Sequence, residues 1–508
     1  MSGPAGLREW VAGRIPLLKE AAGVWIVGGG PRDSLLGRAV GDLDFAVEGD
    51  ARALGRRVAD ALDAAYYDLD RERGAGRVVW KDPDGRRRFL DFSGLRSTDL
   101  ESDLRARDFT ANALAVPMAG PGQVMDPTGG RDDLRRKILR VPLPNAIADD
   151  PVRALRGVRL ASELGFTIET HTRERIRVDG RGLDRVAPER VRDELFRVFS
   201  APHPGRALRV LSHLALLQIA LPEMAGGGAR PAHQPHAGSA WDHSLAVVDR
   251  LANVLGVLGP APDPEAAAEI ALAHVSLRLG TYRNPLQADL AAEMVPGRTA
   301  RSLLFLAALG HRGKAEWTPG PDRRRFPEDS EGILRATRRL GLSRGEADWT
   351  GRISRTIPWP SDFDAGPPLP PRLVYRFLRR SGAAAPEASL LMLADVHARS
   401  NGSPQEAEWI QAIESVRALF QAYWDGRARW LEFEPLIRGD VLAKELGEAP
   451  GPAIGRALEE IREAQAAGEI TTVPEAIRLA RRTLRTSRSA GQDAMDPGSA
   501  SSSIKDRS

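Results

Sequence analysis

The 508-residue sequence contains no cysteine, which excludes disulfide bonds, thiolate metal sites and cysteine nucleophiles. It also lacks an apolar run of roughly 20 residues, the length that a membrane span requires. Its N-terminus shows no compact apolar segment with a cleavage site, so no secretory signal is predicted. We therefore expect a cytoplasmic protein without membrane association, in which any metal is bound by oxygen or imidazole.

The chain also has only a small excess of basic over acidic residues. Lys and Arg total 72 against 68 Asp and Glu, a formal charge of only +4. A polyanion partner would need basic residues gathered on one surface. The 42% hydrophobic content supports buried cores, and the length suggests about three or four domains.

The first ~145 residues alternate short β-like runs with helical stretches, the pattern of a small α/β domain. The β-like runs are VWIVGG, DLDFAV, GRVVW and RRFLDFSGL, and DARALGRRVADALDA is helical. After Asp149 the chain reads as consecutive helices, because Val152, Leu155 and Val158 recur at helical spacing. Composition further predicts a Gly-, Pro- and His-rich linker at 225–240, a loop at PWPSDFDAGPPLPP and a disordered tail at 486–508.

The stretch VGGGPRDSLLGRAVGDLDFAV (27–47) carries the chemistry. In a strand, Asp42 and Asp44 would point the same way, with Cα atoms roughly 6.6 Å apart. Two such carboxylates favour Mg²⁺, and a two-metal site activates an attacking hydroxyl and neutralises a leaving pyrophosphate. Glycine backbone at Gly28 and Gly29 can approach a triphosphate closely, and Arg32 would add a charged fork. The alternative is a strand-ending turn followed by a solvated strand edge.

This stretch resembles the first motif of the tRNA nucleotidyltransferase and poly(A) polymerase family of bacterial and eukaryotic type, with Gly-Gly, Arg-Asp, Leu-Gly-Arg and Asp-x-Asp. Four further segments resemble the later motifs, in the family's order: DLRARDFTANALAV, DPTGGRDDL, DDPVRALRGVRLASELGF and APERVRDEL. The resemblance implies a polymerase β-like α/β nucleotidyltransferase head followed by an all-α neck, body and tail. The expected boundaries are 1–145 for the head, 146–224 for the neck, 225–400 for a hydrolase-like body, 401–485 for a tRNA-binding tail and 486–508 for the disordered end.

The resemblance also implies roles for individual residues. Asp42 and Asp44 would bind Mg²⁺, and Asp91 is a candidate third catalytic carboxylate, although its apolar neighbours equally suit a strand edge. The expected nucleotide-binding residues are Gly28, Gly29, Arg32, Asp33, Arg107, Asp108, Asn112, Asp150, Arg153 and Arg156. For Asp108 a purely local role is open, as the cap of a helix over TANALAV.

Asp150 and Arg153 stand three residues apart and would share a helix face. A carboxylate accepts from the amino group of cytosine or adenine, and a guanidinium donates to the adjacent ring acceptor. The resemblance implies that this pair selects the base with support from Arg156. The local sequence alone favours another role, in which Asp150 caps a helix that begins at Pro151.

In the fifth motif, Glu189, Arg190 and Glu194 are expected to form helix-bracing ion pairs. Arg153, Arg156 and Arg159 mark a basic helix edge for RNA phosphates. The segment 435–477 (PLIRGDVL to VPEAI) resembles the part of the family thought to hold the tRNA body.

Two departures from the family pattern stand out. Relatives with a phosphohydrolase domain carry a His, a His-Asp pair and further ligands, whereas this chain has His243, then His274 followed by Val275, then Asp395, and no histidine in FPEDSEG. A hydrolase-like fold without hydrolase activity is therefore predicted, with His243 and His274 as ordinary core or surface histidines. Second, the connection between Arg96 and Asp103 is shorter than in relatives that complete the CCA end.

The sequence thus predicts a template-independent enzyme that adds C and/or A from CTP and ATP to the 3′ end of tRNA, with CC-only addition as a hypothesis. The partners are the tRNA 3′ end and the nucleotides, and no protein partner is predicted. The alternatives are a poly(A) polymerase acting on RNA 3′ ends, an RNA-binding scaffold with a relic head, and a phosphohydrolase.

Overall fold

The computed structural model describes residues 3–70, 74–120, 122–225, 240–261, 268–311, 328–356 and 366–493. The chain divides into two compact units, Met1–Gly226 and Gly227–Ser508. The boundary falls within the predicted linker, of which residues 226–239 lie outside the described ranges, as does most of PWPSDFDAGPPLPP.

The first unit is an α/β sheet followed by helices, as predicted. Its strands are β1 (Val24–Val27), β2 (Leu43–Val47), β3 (Ala65–Asp70), β4 (Ala75–Lys81), β5 (Arg87–Gly94), β6 (Ala115–Pro117), β7 (Ile138–Leu139) and β8 (Thr167–Ile168). Its helices are α1 (Gly3–Arg14), α2 (Gly29–Leu35), α3 (Ala51–Ala61), α4 (Leu100–Arg105), α5 (Gly130–Arg136), α6 (Ala146–Asp149), α7 (Val152–Leu164), α8 (Thr170–Asp179), α9 (Pro188–Ser200), α10 (Pro204–His213), α11 (Leu217–Ala220) and α12 (Pro222–Ala225).

The main sheet has six strands in the order β3-β4-β5-β2-β1-β6. β2 and β5 are parallel, and the other neighbours are antiparallel. The four β-like runs of the sequence form β1, β2, β4 and β5, which confirms those predictions. The expected helix over TANALAV is wrong, because Thr110–Asn112 forms a short 3₁₀ turn and β6 follows at once.

The two faces of the sheet are covered unequally. α1 and α3 pack on one face, where Phe45 and Phe92 stack with ring centroids 4.7 Å apart and Trp10 meets Trp80 edge-on. On the other face, Leu100 and Leu104 of α4 pack against the β1, β2 and β6 side of the sheet. The side chains of β3, β4 and β5 on that second face keep solvent access.

The helices after the sheet pack through small residues. Gly157 of α7 lies so close to Phe109 that a Cβ there would be 2.7 Å from the ring Cζ atom. Val152, Leu155 and Val158 are buried on the same helix, as the helical spacing predicts. Close contact between α7 and Phe109 therefore fixes the fourth motif beside the second.

The second unit is helical, as predicted, apart from a small hairpin. Its helices are α13 (Ala240–Val257), α14 (Ile270–Leu279), α15 (Arg283–Ala291), α16 (Ala300–Leu309), α17 (Glu328–Arg339), α18 (Arg344–Thr356), α19 (Pro371–Ser381), α20 (Ala385–Arg399), α21 (Glu406–Phe420), α22 (Arg427–Trp430), α23 (Gly439–Leu446), α24 (Pro452–Ala466) and α25 (Val473–Asp493). The hairpin strands are β9 (Glu293–Val295) and β10 (Arg298–Thr299).

α25 runs beyond the expected end of ordered structure. It continues to Asp493, into the segment 486–508 that composition predicts to be disordered, and residues 494–508 lie outside the described ranges. No described helix combines the length and the apolar character needed to cross a membrane.

Candidate active site

Three aspartates meet on one part of the sheet. Asp44 of β2 lies directly opposite Asp91 of β5 in the parallel register. Asp42 precedes the first residue of β2, and its Oδ1 accepts a hydrogen bond of 3.0 Å from the Phe89 amide. Because directly opposed residues face the same side of a sheet, the fold brings together the three carboxylates selected from the sequence.

The Asp44 carboxylate is in an environment that disfavours its ionised form. It keeps solvent access from the open side of the sheet. The protein packed around it, and then the charges of Asp91 and Asp42, nevertheless raise its pKa to about 6. Arg107 and Arg77 act in the opposite direction. The two arginines therefore do not offset the combined effect of burial and the neighbouring carboxylates on this pKa.

A divalent cation fits this arrangement. Carboxylate oxygens are the ligands that hard ions such as Mg²⁺ prefer. The cation would favour the ionised form of Asp44, whose pKa is raised by burial and then by the charges of Asp91 and Asp42. Asp91 is less available than the other two, since Arg77 donates two hydrogen bonds to it, at 2.7 and 2.8 Å. Asp42 and Asp44 are therefore the residues that would hold the ion.

The glycine turn lies against these carboxylates. β1 ends at Val27, and Gly28 then adopts φ 71° and ψ −128° before α2 begins at Gly29. A Cβ on Gly28 would be 2.8 Å from Asp44 Oδ2 and 3.7 Å from Arg107 Nη1. The turn thus leaves only backbone next to the Asp44 carboxylate, and a phosphate can approach there closely.

Arg32 is held by its neighbour Asp33 and by Asn112 of the second motif. It donates to both carboxylate oxygens of Asp33 at 2.9 Å and to Asn112 Oδ1 at 2.7 Å. Asn112 in turn donates to Asp108 Oδ1 at 3.1 Å. These contacts orient the guanidinium beside the glycine turn.

The same chain of hydrogen bonds continues into the helices after the sheet. Arg156 of α7 donates to Asp108 at 3.2 Å and to Glu194 of α9 at 3.0 Å. Burial alone would raise the pKa of Asp108, but Arg156, Asn112 and the Phe109 amide outweigh it and lower that pKa. Asp108 therefore serves as a charged junction and does not cap a helix.

Glu194 is the buried end of this network. It is 3% exposed and also accepts from Arg159 and Arg197, at 2.9 and 3.0 Å. Burial would raise its pKa, but Arg159, Arg156 and Arg197 together lower it. The predicted ion pairs of the fifth motif are confirmed for Glu194 and Arg190, while the proposed RNA-binding edge of α7 is largely occupied by protein partners.

Asp150 does not cap α7, which corrects the role that the local sequence favoured. The helix begins at Val152, and no side chain caps it. Asp150 Oδ2 accepts from Arg190 at 2.8 Å, while its buried Oδ1 has no partner within the described structure. A buried acceptor without a donor is costly, and a base amino group would satisfy it.

Arg153 is engaged by the backbone. Its guanidinium donates to the carbonyls of Ala106 at 3.1 Å, Ala146 at 3.2 Å and Arg107 at 3.4 Å, and its Nε lies 3.8 Å from Asp150 Oδ2. These contacts tie α7 to the second motif. Arg153 stands next to Asp150, as predicted, but its donors are shared with main-chain oxygens.

The second unit contains a histidine and aspartate group that the sequence analysis identified only in part. Nε2 of His243 and of His311 lie 3.0 and 3.2 Å from Asp395 Oδ1, and Arg399 donates to Oδ2. His243 is therefore not an ordinary isolated histidine, which corrects that expectation. His311 was missed, and His274 is not part of the group.

The three ligand atoms of this group lie within 4.8 Å of one another, close enough to share a metal ion. Both oxygens of Asp395 already accept from protein donors, which leaves few lone pairs free. Burial alone would raise the pKa of Asp395, but His311, His243 and Arg399 hold it well below its usual range. Arg399 neutralises Asp395, while His311 Nε2 is buried without a hydrogen-bond partner among the described residues, and a hydrolase-like body without activity stays a prediction.

The sequence reasoning missed Arg77 altogether, and for Arg190 it predicted an ion pair without identifying the partner. Arg77 pairs with Asp91 across β4 and β5, and Arg190 pairs with Asp150 across 40 residues. The available signal for Arg77 was its place in the β-like run GRVVW. Only the strand pairing assigns it to Asp91.

Comparison with known proteins defines the class first. The protein-family model of the poly(A) polymerase head domain matches residues 24–140, which contain the six-stranded sheet and the three aspartates. The model of the probable RNA and SrmB-binding site of polymerase A matches residues 165–226. The chain is thus a nucleotidyltransferase head followed by a helical region of RNA-binding type.

Full-length relatives then give the family. The CC-adding tRNA nucleotidyltransferase of Geobacter sulfurreducens is 32% identical, over 91% of this chain and 93% of the relative. The A-adding tRNA nucleotidyltransferase of Deinococcus radiodurans is 30% identical, over 91% and 96%. The chain belongs to the tRNA nucleotidyltransferase and poly(A) polymerase family, which confirms the resemblance seen in the motifs.

Solved structures agree on the fold. A CCA-adding enzyme in complex with CTP aligns over 95% of this chain and 98% of the other, with a TM-score of 0.59 and 18% identity. The Bacillus stearothermophilus CCA-adding enzyme in complex with CTP aligns over 96% and 99%, with a TM-score of 0.55 and 23% identity.

Proposed function

We propose that this protein adds C from CTP to the 3′ end of tRNA, in a reaction that depends on Mg²⁺. The observation that supports the proposal is the placement of Asp44 beside the Gly28 turn and opposite Asp91. In nucleotidyl transfer, tenfold or larger effects on the rate come from positioning of the reacting groups and from neutralisation of the phosphate charge. A cytoplasmic location belongs to the same proposal.

In this reaction the 3′-hydroxyl oxygen of the RNA forms a bond to the α-phosphorus of CTP while the bond to pyrophosphate breaks. Mg²⁺ at Asp42 and Asp44 would acidify the hydroxyl and neutralise the charge on the leaving pyrophosphate. Gly28 gives the triphosphate close access to the backbone. Arg32, oriented by Asp33 and Asn112, would bind the same phosphates.

Asp150 is the residue we assign to the base. Its free Oδ1 can accept from the exocyclic amino group of cytosine or adenine, whereas guanine and uracil present a carbonyl there. Arg190 fixes the other oxygen and so sets the direction of the free one. Arg153 would donate a hydrogen bond to the ring acceptor of the base once it releases one of its hydrogen bonds to a backbone carbonyl.

The connection after β5 favours CC-only addition. Residues 95–99 alone join β5 to α4, and the Arg96 amide donates to Asp103 Oδ1 at 3.0 Å across this connection. Asp99 accepts from the Ser102 amide and caps α4. A short, internally bonded connection offers little freedom to rebuild the pocket for ATP. The CC-adding relatives from Geobacter sulfurreducens and Thermus thermophilus, the latter 31% identical over 89% of this chain and 91% of the relative, support the same choice.

The test is incorporation of labelled nucleotides by the purified protein. A tRNA that lacks its 3′ CCA is incubated with Mg²⁺ and either CTP, ATP or both. We expect two C residues to be added from CTP and no terminal A. Ready addition of A after CC would sink the CC-only assignment, and no incorporation at all would sink the function.

A-only addition is the second candidate, since the relative from Deinococcus radiodurans is A-adding. The same assay with a tRNA ending in CC separates the two, because an A-adding enzyme would extend only that substrate. A poly(A) polymerase is not favoured. Long A tracts on unstructured RNA would be needed to revive it.

A further inference from the structure

The uncovered face of β3, β4 and β5 continues directly from the aspartates. Asp44 is opposite Asp91, Asp91 is opposite Arg77, and Arg77 is opposite Tyr67. Directly opposed residues share a sheet face. Tyr67 therefore lies on the same face as the aspartates, three strands away at the sheet edge, about 14 Å from Asp44 at ~4.8 Å per strand.

Basic and aromatic side chains lie close together on this face. Phe89 sits between two guanidiniums, with Arg77 Cζ 4.8 Å and Arg87 Cζ 5.1 Å from its ring centroid. Tyr67 is 58% exposed. Arg87 is exposed and has no ion pair among the described residues. We call Tyr67, Arg77, Arg87 and Phe89 the β3–β5 face.

The chemistry of the reaction determines which side of Asp44 the RNA must occupy. The glycine turn follows β1, which pairs with β2 on one side, and Asp91 of β5 lies on the other. The attacking and leaving oxygens stand roughly in line across the reacting phosphorus. If the triphosphate lies at the β1 side, the RNA end has to arrive from the β5 side, where the β3–β5 face begins.

We propose that the β3–β5 face binds the single-stranded 3′ end of the RNA substrate, with a base stacking on Tyr67 and phosphates meeting Arg87, which Phe89 supports from below. Positive charge, stackable rings and continuity with the aspartates are what a single strand requires. About four stacked nucleotides at ~3.4 Å each would span the distance from Asp44 to Tyr67. This inference rests on the proposed function.

The charge on this face supports RNA over a protein partner. Arg77 is held by Asp91, so that its charge stays at the aspartates. Arg87 adds a cation that no described carboxylate balances. An apolar protein interface would be weakened by such an uncompensated cation at its centre, whereas a phosphate would pair with it.

The test compares steady-state constants for four variants with labelled CTP and a tRNA lacking its 3′ end. Tyr67→Ala should raise the KM for tRNA roughly tenfold and leave the KM for CTP unchanged. Tyr67→Phe keeps the ring and should behave like the wild type. Arg87→Ala should raise the KM for tRNA and flatten its salt dependence. Arg57→Ala removes an exposed Arg of α3, on the opposite face, and should change neither constant.

A second measurement locates the RNA. Benzoylphenylalanine placed at position 67 should crosslink to the last few nucleotides of the tRNA. Crosslinks confined to the stem or to the far end of the tRNA would overturn the inference. So would unchanged KM values for tRNA in both Tyr67→Ala and Arg87→Ala while the wild type incorporates C. A wild type that incorporates nothing would instead overturn the proposed function.

Discussion

Gly28 and Asp44 approach each other more closely than any residue with a side chain would allow. A Cβ on Gly28 would stand 2.8 Å from Asp44 Oδ2, and the glycine has φ 71°. The turn after β1 therefore packs directly against the Asp44 carboxylate of β2, and only glycine leaves room for this contact. Both belong to one short stretch of sequence, and the antiparallel pairing of β1 and β2 brings them into contact.

Replacing this glycine tests the contact. Gly28→Ala should push the Asp44 carboxylate away and lower kcat about 100-fold, because displacement of about 1 Å has effects of that size. Gly85→Ala is the matched control, since Gly85 has φ +80° but open space where its Cβ would lie. Both variants carry backbone strain, of about 1–3 kcal/mol each, with the larger strain expected at Gly28, whose ψ of −128° lies outside the left-handed helical region. Equal loss of kcat in the two would show that strain, and not the contact, is responsible.

Removal of a metal ligand distinguishes an enzyme from an RNA-binding protein with a relic head. Asp42→Ala should abolish nucleotide incorporation and leave tRNA affinity nearly unchanged, because the carboxylate contributes to the reaction and not to RNA binding. Asp60→Ala, at an exposed site of α3, is the control and should retain activity. Incorporation by Asp42→Ala at more than about a tenth of the wild-type rate would contradict the assignment.

The Glu194 network predicts a coupled loss of stability and nucleotide binding. Glu194→Gln leaves Arg156 and Arg159 without their buried counter-charge, so the free energy of unfolding should fall by about 3 kcal/mol. Arg156 also orients Asp108, and through it Asn112, so the KM for CTP should rise. Thermal unfolding and steady-state kinetics measure the two effects.

The control for this variant is Glu163→Gln. Glu163 pairs with Arg159 at a partly exposed site, so its removal should cost less than about 1 kcal/mol and leave the KM for CTP unchanged. If Glu194→Gln lowers stability without any change in that KM, the network is structural only.

Sequence reasoning succeeded where short-range pattern decides the structure. The run LDFAV alternates and is strongly β-forming, so β2 and the placement of Asp44 followed from the sequence. The spacing in α7 likewise predicted which residues are buried. The first motif identified Asp42 and Asp44, and the β-like run RRFLDFSGL gave Asp91 as a candidate, although neither could show that Asp91 is engaged by Arg77.

The failures concern partners distant in sequence. Asp150 followed by Pro151 has the local form of a helix cap, yet Arg190 binds its carboxylate. Local preference was overridden by the packing of α9 beside α7. His311 lies beside His243 and Asp395 although it is 68 residues from the first and 84 residues from the second in sequence. The spacing of the histidines does not indicate such a group, because the adjacent His-Asp pair expected of a phosphohydrolase is absent from the chain.

The histidine cluster of the second unit yields a stability prediction. Asp395→Asn removes the charge that His243, His311 and Arg399 surround, and we expect the free energy of unfolding to fall by about 3 kcal/mol. Incubation of the wild type with EDTA should leave its melting temperature unchanged, because Arg399 already supplies a positive charge to Asp395. A melting temperature that falls with EDTA and recovers with a divalent metal would show instead that the group holds an ion.

Glu387, on the same helix as Asp395, predicts how stability depends on pH. It is 1% exposed, and burial, aided by Asp289, raises its pKa from 4.5 to about 8. Between these two values the folded state keeps a proton that the unfolded chain releases. The free energy of unfolding should therefore fall as the pH rises through that window, by about 1.4 kcal/mol per pH unit for this group.

Glu387→Gln removes the titration while keeping the shape of the side chain. The variant should be more stable than the wild type at pH 8 and close to it at pH 5, so that the difference between the two grows with pH. Glu408→Gln, at an exposed position in the first turn of α21, should show no such trend. Denaturant unfolding of each protein at several pH values measures the slope. Parallel pH profiles for the wild type and Glu387→Gln would mean that Glu387 is ionised in the folded protein, with a donor or solvent contact that compensates its burial.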